Sequence, residues 1–78
     1  MPRYYFHLYN DEISLDEEGR ELADLDAART TAIDAARDLA CGSIRSGRIN
    51  LEDHIDVHDE SGEKVLTISY RQAFTILG

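Results

Sequence analysis

The sequence has little cysteine, the residue on which disulfide and thiolate chemistry depend. Cys41 is the only cysteine among the 78 residues. A single cysteine excludes a disulfide within the chain, a zinc cluster built of thiolates and a CxxC redox pair. Any disulfide would therefore have to join two chains.

Long apolar runs are also missing. No segment approaches the roughly 18 apolar residues that a membrane-spanning helix requires. Charged residues interrupt the N-terminal MPRYYFHLYNDE before an apolar signal region of the required length can form. We therefore predict a soluble, cytoplasmic protein without a membrane partner. Because 42% of the residues are hydrophobic and 31% are charged, we predict one globular domain over residues 1–78.

Basic residues are scarce. Eight lysines and arginines stand against 16 aspartates and glutamates, and the formal net charge is -8. Binding to nucleic acid depends on cationic contacts with phosphate, so a chain with this charge is a poor candidate for that function. Arg37, Arg45 and Arg48 form the nearest approach to a basic patch, and Asp34 and Asp38 interrupt it.

Motifs of the common catalytic and cofactor sites are absent too. The sequence contains no glycine-rich phosphate loop, no HExxH and no GxSxG. Asp16-Glu17-Glu18-Gly19 resembles the start of a calcium loop, but Leu25 stands where such a loop requires glutamate. We interpret this segment as a solvated acidic turn. Since no nucleophile, base and orienting residue can be assembled, we predict neither an enzyme nor a cofactor.

What the sequence does contain is strand alternation at both ends. Residues 3–10 alternate between Tyr4, Phe6 and Leu8 on one face and Tyr5, His7 and Tyr9 on the other. Residues 13–15 predict a short second strand. Residues 54–58 and 64–70 predict two further strands joined by a hairpin loop at residues 59–62.

A helical period occupies the middle of the chain. Asp24 is the predicted N-cap and Gly47 the predicted residue after the C-cap, whereas Gly42 could end the helix early. The predicted apolar stripe consists of Leu25, Ala28, Ala32, Ala35, Ala36 and Leu39.

The fold that follows is of the α+β class, with the order β-β-α-β-β and an antiparallel sheet that carries one main helix on one face. A short helical turn over residues 71–77 would place Ala73, Phe74 and Leu77 against a sheet edge.

Three segments carry a resemblance to a known family. The opening PRYYFHL, the stretch DEEGRELADLDAARTTAIDAARDLA and the stretch HIDVHDESGEKVLTISYRQAF resemble a family of short bacterial proteins, common in rhizobia and related groups. The family is described as a domain of unknown function. The resemblance implies a single domain and assigns no activity, ligand or catalytic residue.

The chain is also similar to HicB, the antitoxin half of HicA–HicB toxin–antitoxin pairs. That family likewise places a β-hairpin and an acidic, glycine-containing connection before an alanine-rich helix. This sequence departs from the family pattern, because Glu21-Leu22-Ala23-Asp24 replaces a segment rich in proline, aspartate and glycine, and we expect no C-terminal DNA-binding extension. The similarity implies an antitoxin-type regulator as one alternative function.

Strand alternation defines one candidate surface. If Phe6, Leu8, Ile55 and Val57 face the helix, the residues between them lie on the opposite side of the sheet, which we call the outer face. The six candidate residues of the outer face are Tyr5, His7, Tyr9, His54, Asp56 and His58.

We predict an interaction or structural module that forms a homodimer, or binds another protein, through these six residues. Tyrosine is enriched in buried interfaces, and a thin core gains stability from burial at an interface. The alternative is a metal-binding or small-molecule-binding protein that uses His7, His54, Asp56 and His58. Because His54 and His58 are about 13 Å apart along an extended strand, a metal site would also require His7 from a neighbouring strand.

Cys41 is predicted to be exposed, since it lies opposite the apolar stripe of the helix. Arg37 and Arg45, one turn away on either side, would favour the thiolate. A catalytic thiol also requires a base such as histidine, and all three histidines lie on predicted strands. We therefore interpret Cys41 as an incidental exposed cysteine.

Overall fold

The structure is a computed structural model that describes residues 2–75 and 77. Its elements are β1 (Arg3–Tyr9), β2 (Ile13–Ser14), β3 (Arg20–Glu21), α1 (Leu25–Arg45), β4 (His54–His58), β5 (Lys64–Ser69) and α2 (Tyr70–Ala73). The predicted α+β class, an antiparallel sheet with one main helix, is confirmed. In the part of the chain described, neither helix is long and apolar enough to cross a membrane.

The sheet is arranged around β1. One edge of β1 pairs with β2 and with β3, and the other edge pairs with β4, which in turn pairs with β5. All of these pairings are antiparallel. The residues that point to one side of the three long strands are Phe6, Leu8, Ile55, Val57, Leu66 and Ile68. Of the side chains predicted to reach the core from β1, Tyr4 is buried, and Phe6 and Leu8 are half-buried against it.

The short strand β3 adds to the predicted β-β-α-β-β order. Its register sets Arg3 opposite Glu21 and Tyr4 opposite Arg20. Arg20 and Glu21 are both charged and exposed, so the segment has no apolar alternation from which a strand is predicted.

Helix α1 packs through a single row of small residues. The side chain of Asp24 accepts a hydrogen bond from the Ala27 amide at 2.9 Å, which confirms the predicted N-cap. The buried residues, each between 0 and 2% exposed, are Ala28, Ala32, Ala36 and Ala40. This row differs from the predicted stripe, since Leu25 is 42% exposed and Ala40 is added. The contact follows residues spaced four apart, and Leu25 does not belong to that row.

The C-terminal end of α1 agrees with the prediction at Gly47. The helix continues through Gly42 to Arg45, and Gly47 adopts a φ of 93° just beyond the C-cap residue Ser46. A positive φ is accessible to glycine at little cost. Cys41, on the exposed side of the helix, is solvent-accessible as predicted.

The predicted helical turn over residues 71–77 includes Ile76, which lies outside the described residues. Where the chain is described, α2 ends at Ala73, which is buried, and Phe74 is half-buried against the core. The expectation for Leu77 is wrong, since its side chain is 87% exposed. Phe74 has extended backbone angles, so the chain leaves the helix there.

Candidate functional site

Strands β1 and β4 bring the six candidate residues of the outer face together. Their antiparallel register forms the pairs Tyr5–His58, His7–Asp56 and Tyr9–His54. Directly opposed residues of two strands share a face of the sheet. Alternation alone could not predict that β1 and β4 are adjacent strands. Because they are adjacent, the candidate residues of β1 lie directly beside those of β4.

Aromatic rings pack against each other across these two strands. The rings of Tyr9 and His54 are stacked, with centroids 5.1 Å apart and an interplanar angle of 14°. His7 and His58 meet edge to face, with centroids 4.7 Å apart. Both geometries are favourable for aromatic pairs. The four rings therefore hold one another in place on the outer face.

Each histidine of the outer face is also oriented by the backbone. The Asp16 amide donates to Nδ1 of His7 at 3.0 Å, so the neutral ring of His7 carries its hydrogen on Nε2. The Nδ1 atoms of His54 and His58 lie 3.2 and 3.1 Å from the carbonyl oxygens of Glu52 and Gly62. A carbonyl oxygen only accepts, so these two rings donate from Nδ1.

Asp56 is the buried charged residue of the outer face. Its side chain lies between those of His54 and Thr67, and the residue is only 8% exposed. The Thr67 hydroxyl donates to Oδ1 of Asp56 at 2.8 Å, and Nε2 of His54 lies 3.7 Å from the same oxygen. Thr67 was not among the predicted residues, although its position between Leu66 and Ile68, which face the core, places it on the outer face.

The acidic segment after β2 is more than the solvated turn that we expected. The carboxylate of Asp16 accepts hydrogen bonds from the amides of Phe6, Glu18 and Gly19, at 3.2, 3.1 and 3.1 Å. Partial burial raises the pKa of Asp16, but the three amides outweigh that effect and leave the pKa below its ordinary value. The Asp16 carboxylate therefore accepts from the edge of β1 at Phe6, between the residues that pair with β2 and those that pair with β3.

Gly19 lets this segment lie directly against the outer face. Its φ is 71°, and a Cβ atom placed there would be 2.8 Å from both Cγ of Arg3 and Cε2 of Tyr5. Such distances are shorter than van der Waals contact, so glycine is required for steric and conformational reasons. An Asp-x-x-Gly turn was the sequence signal for this contact.

The strand residues of the outer face are balanced in charge. Arg3 forms an ion pair with Glu21 at 3.3 Å, and the register sets Lys64 opposite His58. With Asp56, these residues make two cations and two carboxylates. The rest of the chain therefore carries the net charge of -8.

The four candidate metal ligands do not form a cluster of the required kind. Across residues 2–75 and 77, no group of three or more His, Cys, Asp or Glu side chains could hold a metal ion. Nε2 of His54 and Oδ1 of Asp56 provide one pair of adjacent ligand atoms. His7 would first have to lose the hydrogen on Nε2 or its bond to the Asp16 amide.

A polar cleft of about 220 Å³ lies beside the end of the sheet where β1 ends and β4 begins, and the sequence indicated no site there. Its lining residues are Asp11, Ser43, Ser46, Arg48, Ile49, Asn50 and Asp53. Tyr70, fully buried beside it, has a pKa raised first by burial and then by the Asp53 carboxylate, against hydrogen bonds with Asn10 and Ser43. Since Asn10 follows β1 and Ser43 lies in α1, we interpret Tyr70 as a structural link between sheet and helix.

The fold and the outer face together define a small two-layer α+β protein whose sheet presents an ordered aromatic and histidine surface. The chain belongs to the family described as a domain of unknown function (DUF6894), which matches residues 3–71. The predicted resemblance to a family of unknown function is confirmed at that level.

A search of the curated proteins and a search of the solved structures gave no match. The similarity to HicB antitoxins stays a prediction.

Proposed function

We propose that this protein is a small interaction module that self-associates through the outer face of its sheet. The main support is the balance of charge among the strand residues of that face, which contrasts with the acidic segment around Asp16 at its edge and with the acidic chain as a whole. In a symmetric dimer one surface patch meets the same patch of its partner. A balanced patch avoids the like-charge repulsion that the other acidic surfaces would produce on self-contact.

The order of the outer face is a second support. Tyr9 stacks on His54, and His7 meets His58 edge to face. The Thr67 hydroxyl donates a hydrogen bond to the Asp56 carboxylate. Side chains that are already held in place lose little conformational entropy on association. Both helices pack on the other side of the sheet, among the residues around Ile55, so the outer face is not part of the core they form.

Sedimentation equilibrium of the wild-type protein and two variants tests this proposal. Tyr9→Asp places a carboxylate on the outer face beside His54, and Ile44→Asp places one on α1, where Ile44 is 58% exposed. We expect dimers of the wild type and of Ile44→Asp at concentrations up to about 100 μM, because this range populates dimers with dissociation constants in the micromolar range. We expect Tyr9→Asp to be monomeric there.

Circular dichroism shows whether each variant is folded before its mass is interpreted. A wild-type monomer at the highest concentration would overturn the proposal. Dimerisation of folded Tyr9→Asp with wild-type affinity would also overturn it, since the contact would then lie elsewhere.

Metal binding by His7, His54, Asp56 and His58 is the competing function for this surface. Zinc calorimetry on the same wild-type sample separates the two functions. Self-association that is unchanged by a chelator supports the proposed function, whereas association that requires zinc would replace it with a metal-bridged contact.

A further inference from the structure

A second exposed apolar surface lies in the helical layer. The last turns of α1 and Phe74 form a groove of about 270 Å³, lined by Arg37, Ala40, Cys41, Ile44, Arg45 and Phe74. Ile44 is 58% exposed, whereas Ala40 is buried at the base of the groove. We call this surface the helix groove.

The charged residues that line the helix groove are both arginines. The chain as a whole has twice as many acidic as basic residues, yet no carboxylate belongs to the lining. Nε of Arg37 donates to the Ala73 carbonyl at 2.6 Å, which fixes this arginine beside the groove. Oδ1 of Asp34 lies 3.9 Å from Nη1 of Arg37, and both side chains are at least 60% exposed, so this ion pair is weak.

We propose that the helix groove binds a short acidic segment of another protein. One or two apolar side chains of the segment would lie against Ala40, Ile44 and Phe74, with carboxylates beside Arg37 and Arg45. An apolar base flanked by two cations is complementary to that chemistry. The volume lies below the roughly 300–1,000 Å³ of small-molecule pockets, which favours an anchoring side chain over a whole ligand.

A second copy of this chain is the competing occupant. Ile13 and Leu15 are 66% and 61% exposed, and three acidic residues follow them in the sequence. Docking of that segment into the helix groove would be a head-to-tail contact, which closes into a ring or grows without limit. Such growth would differ from the closed dimer expected of the outer face.

Cys41 provides a direct readout, because it is the only cysteine of the chain and lines the helix groove. The experiment measures the reaction rate of Cys41 with 4,4′-dithiodipyridine in the full-length protein. The probe is the synthetic peptide acetyl-Glu-Glu-Leu-Phe-Glu-Glu-amide. One control peptide has lysine in place of each glutamate, and another has alanine in place of leucine and phenylalanine.

We expect acidic peptide at about nine times its dissociation constant to slow the reaction about tenfold, because the site is then nine-tenths occupied. Neither control peptide should protect Cys41. Arg45→Glu should weaken protection by the acidic peptide about tenfold and create protection by the lysine peptide. Amide chemical shifts of Ile44 and Phe74 in the wild-type protein provide an independent map of the same contact.

Equal protection by the acidic and lysine peptides would overturn the proposal, because binding would then be merely apolar. The absence of protection at about millimolar peptide, a limit that already corresponds to weak binding, would overturn it as well. Loss of higher oligomers in Ile44→Asp, but not in Tyr9→Asp, would assign the helix groove to a second copy and would also contradict the proposal. Tyr9→Asp should bind the acidic peptide as the wild type does.

Discussion

The two faces of the sheet are built from the same strands, yet the helices cover only one of them, and the acidic segment at Gly19 lies against part of the other. On the inner face Ile55, Val57 and Ile68 are at most 2% exposed beneath the alanine row of α1. On the outer face their immediate neighbours His54 and His58 stay partly exposed. Small residues on the helix allow close packing on one side, whereas rings with polar atoms occupy the other.

This difference separates two physical roles. Burial on the inner face contributes to the free energy of unfolding, because apolar area is removed from water within one chain. The outer face contributes less to the free energy of unfolding, because side chains such as His54 and His58 stay partly exposed. We therefore expect substitutions on the inner face to change stability, and substitutions on the outer face to change association.

The largest expected effect is that of Ile55→Ala. Ile55 is 2% exposed, and the cavity left by truncation should cost about 2–5 kcal/mol of unfolding free energy. His54→Ala, at the adjacent position on the outer face, should cost no more than about 1 kcal/mol. Urea unfolding measures both values. Similar losses from the two variants would contradict the distinction between the faces.

Gly19→Ala should have the next largest effect, because it forces the acidic turn away from Tyr5. The positive φ and the two contacts at 2.8 Å should together cost about 2–3 kcal/mol. Gly62→Ala is the matched control, since Gly62 also has a positive φ but faces open space, and should cost about 1 kcal/mol. Thermal unfolding of both variants checks this order, and a larger loss from Gly62→Ala would refute it.

Asp16→Asn should change how stability depends on pH. The pKa of Asp16 is lowered in the folded protein, so its ionised form stabilises the fold above the ordinary carboxyl pKa, and this contribution is lost as pH falls through the lowered value. The difference in unfolding free energy between wild type and variant should therefore be largest near neutral pH and shrink in acid. Denaturant titrations across this range measure it. A difference that grows as pH falls would have the wrong sign.

The smallest expected effect on stability is that of Thr67→Val. The substitution keeps the shape of the side chain and removes the 2.8 Å hydrogen bond to Asp56. It should lower the free energy of unfolding by about 1 kcal/mol. Thr31→Val removes a hydrogen bond of 2.9 Å within α1 and serves as the control. Only Thr67→Val should also alter self-association, as measured by sedimentation.

Much of the fold could be predicted from local patterns. Alternation in residues 3–10, the N-cap at Asp24 and the glycine at Gly47 all concern neighbours in sequence, and the structure agrees with each. The α+β class followed because two strand pairs flank one amphipathic helix. Leu25 and Leu77 were assigned wrongly, since the direction of a packed row and the path of the chain after Phe74 depend on tertiary contacts.

The candidate site was only partly accessible from the sequence. Alternation placed His7 and His58 on one side of the sheet, but their ring contact depends on the pairing of β1 with β4, which are far apart in the chain. Asp16 was interpreted as a solvated residue because its acceptor role requires the unpaired edge of β1. The helix groove could not be predicted for a similar reason. Ile44 lies in α1 and Phe74 directly follows α2, so the two residues come together only in the folded chain.

An isotope-filtered nuclear Overhauser experiment tests self-association through the outer face most directly. Labelled and unlabelled chains are mixed at a concentration where sedimentation detects dimers. We predict contacts between chains at the rings of Tyr5, His7 and Tyr9, and no such contacts at Ile44. Contacts that map to Ile44 instead, or a dimer without contacts at the three rings, would contradict the account.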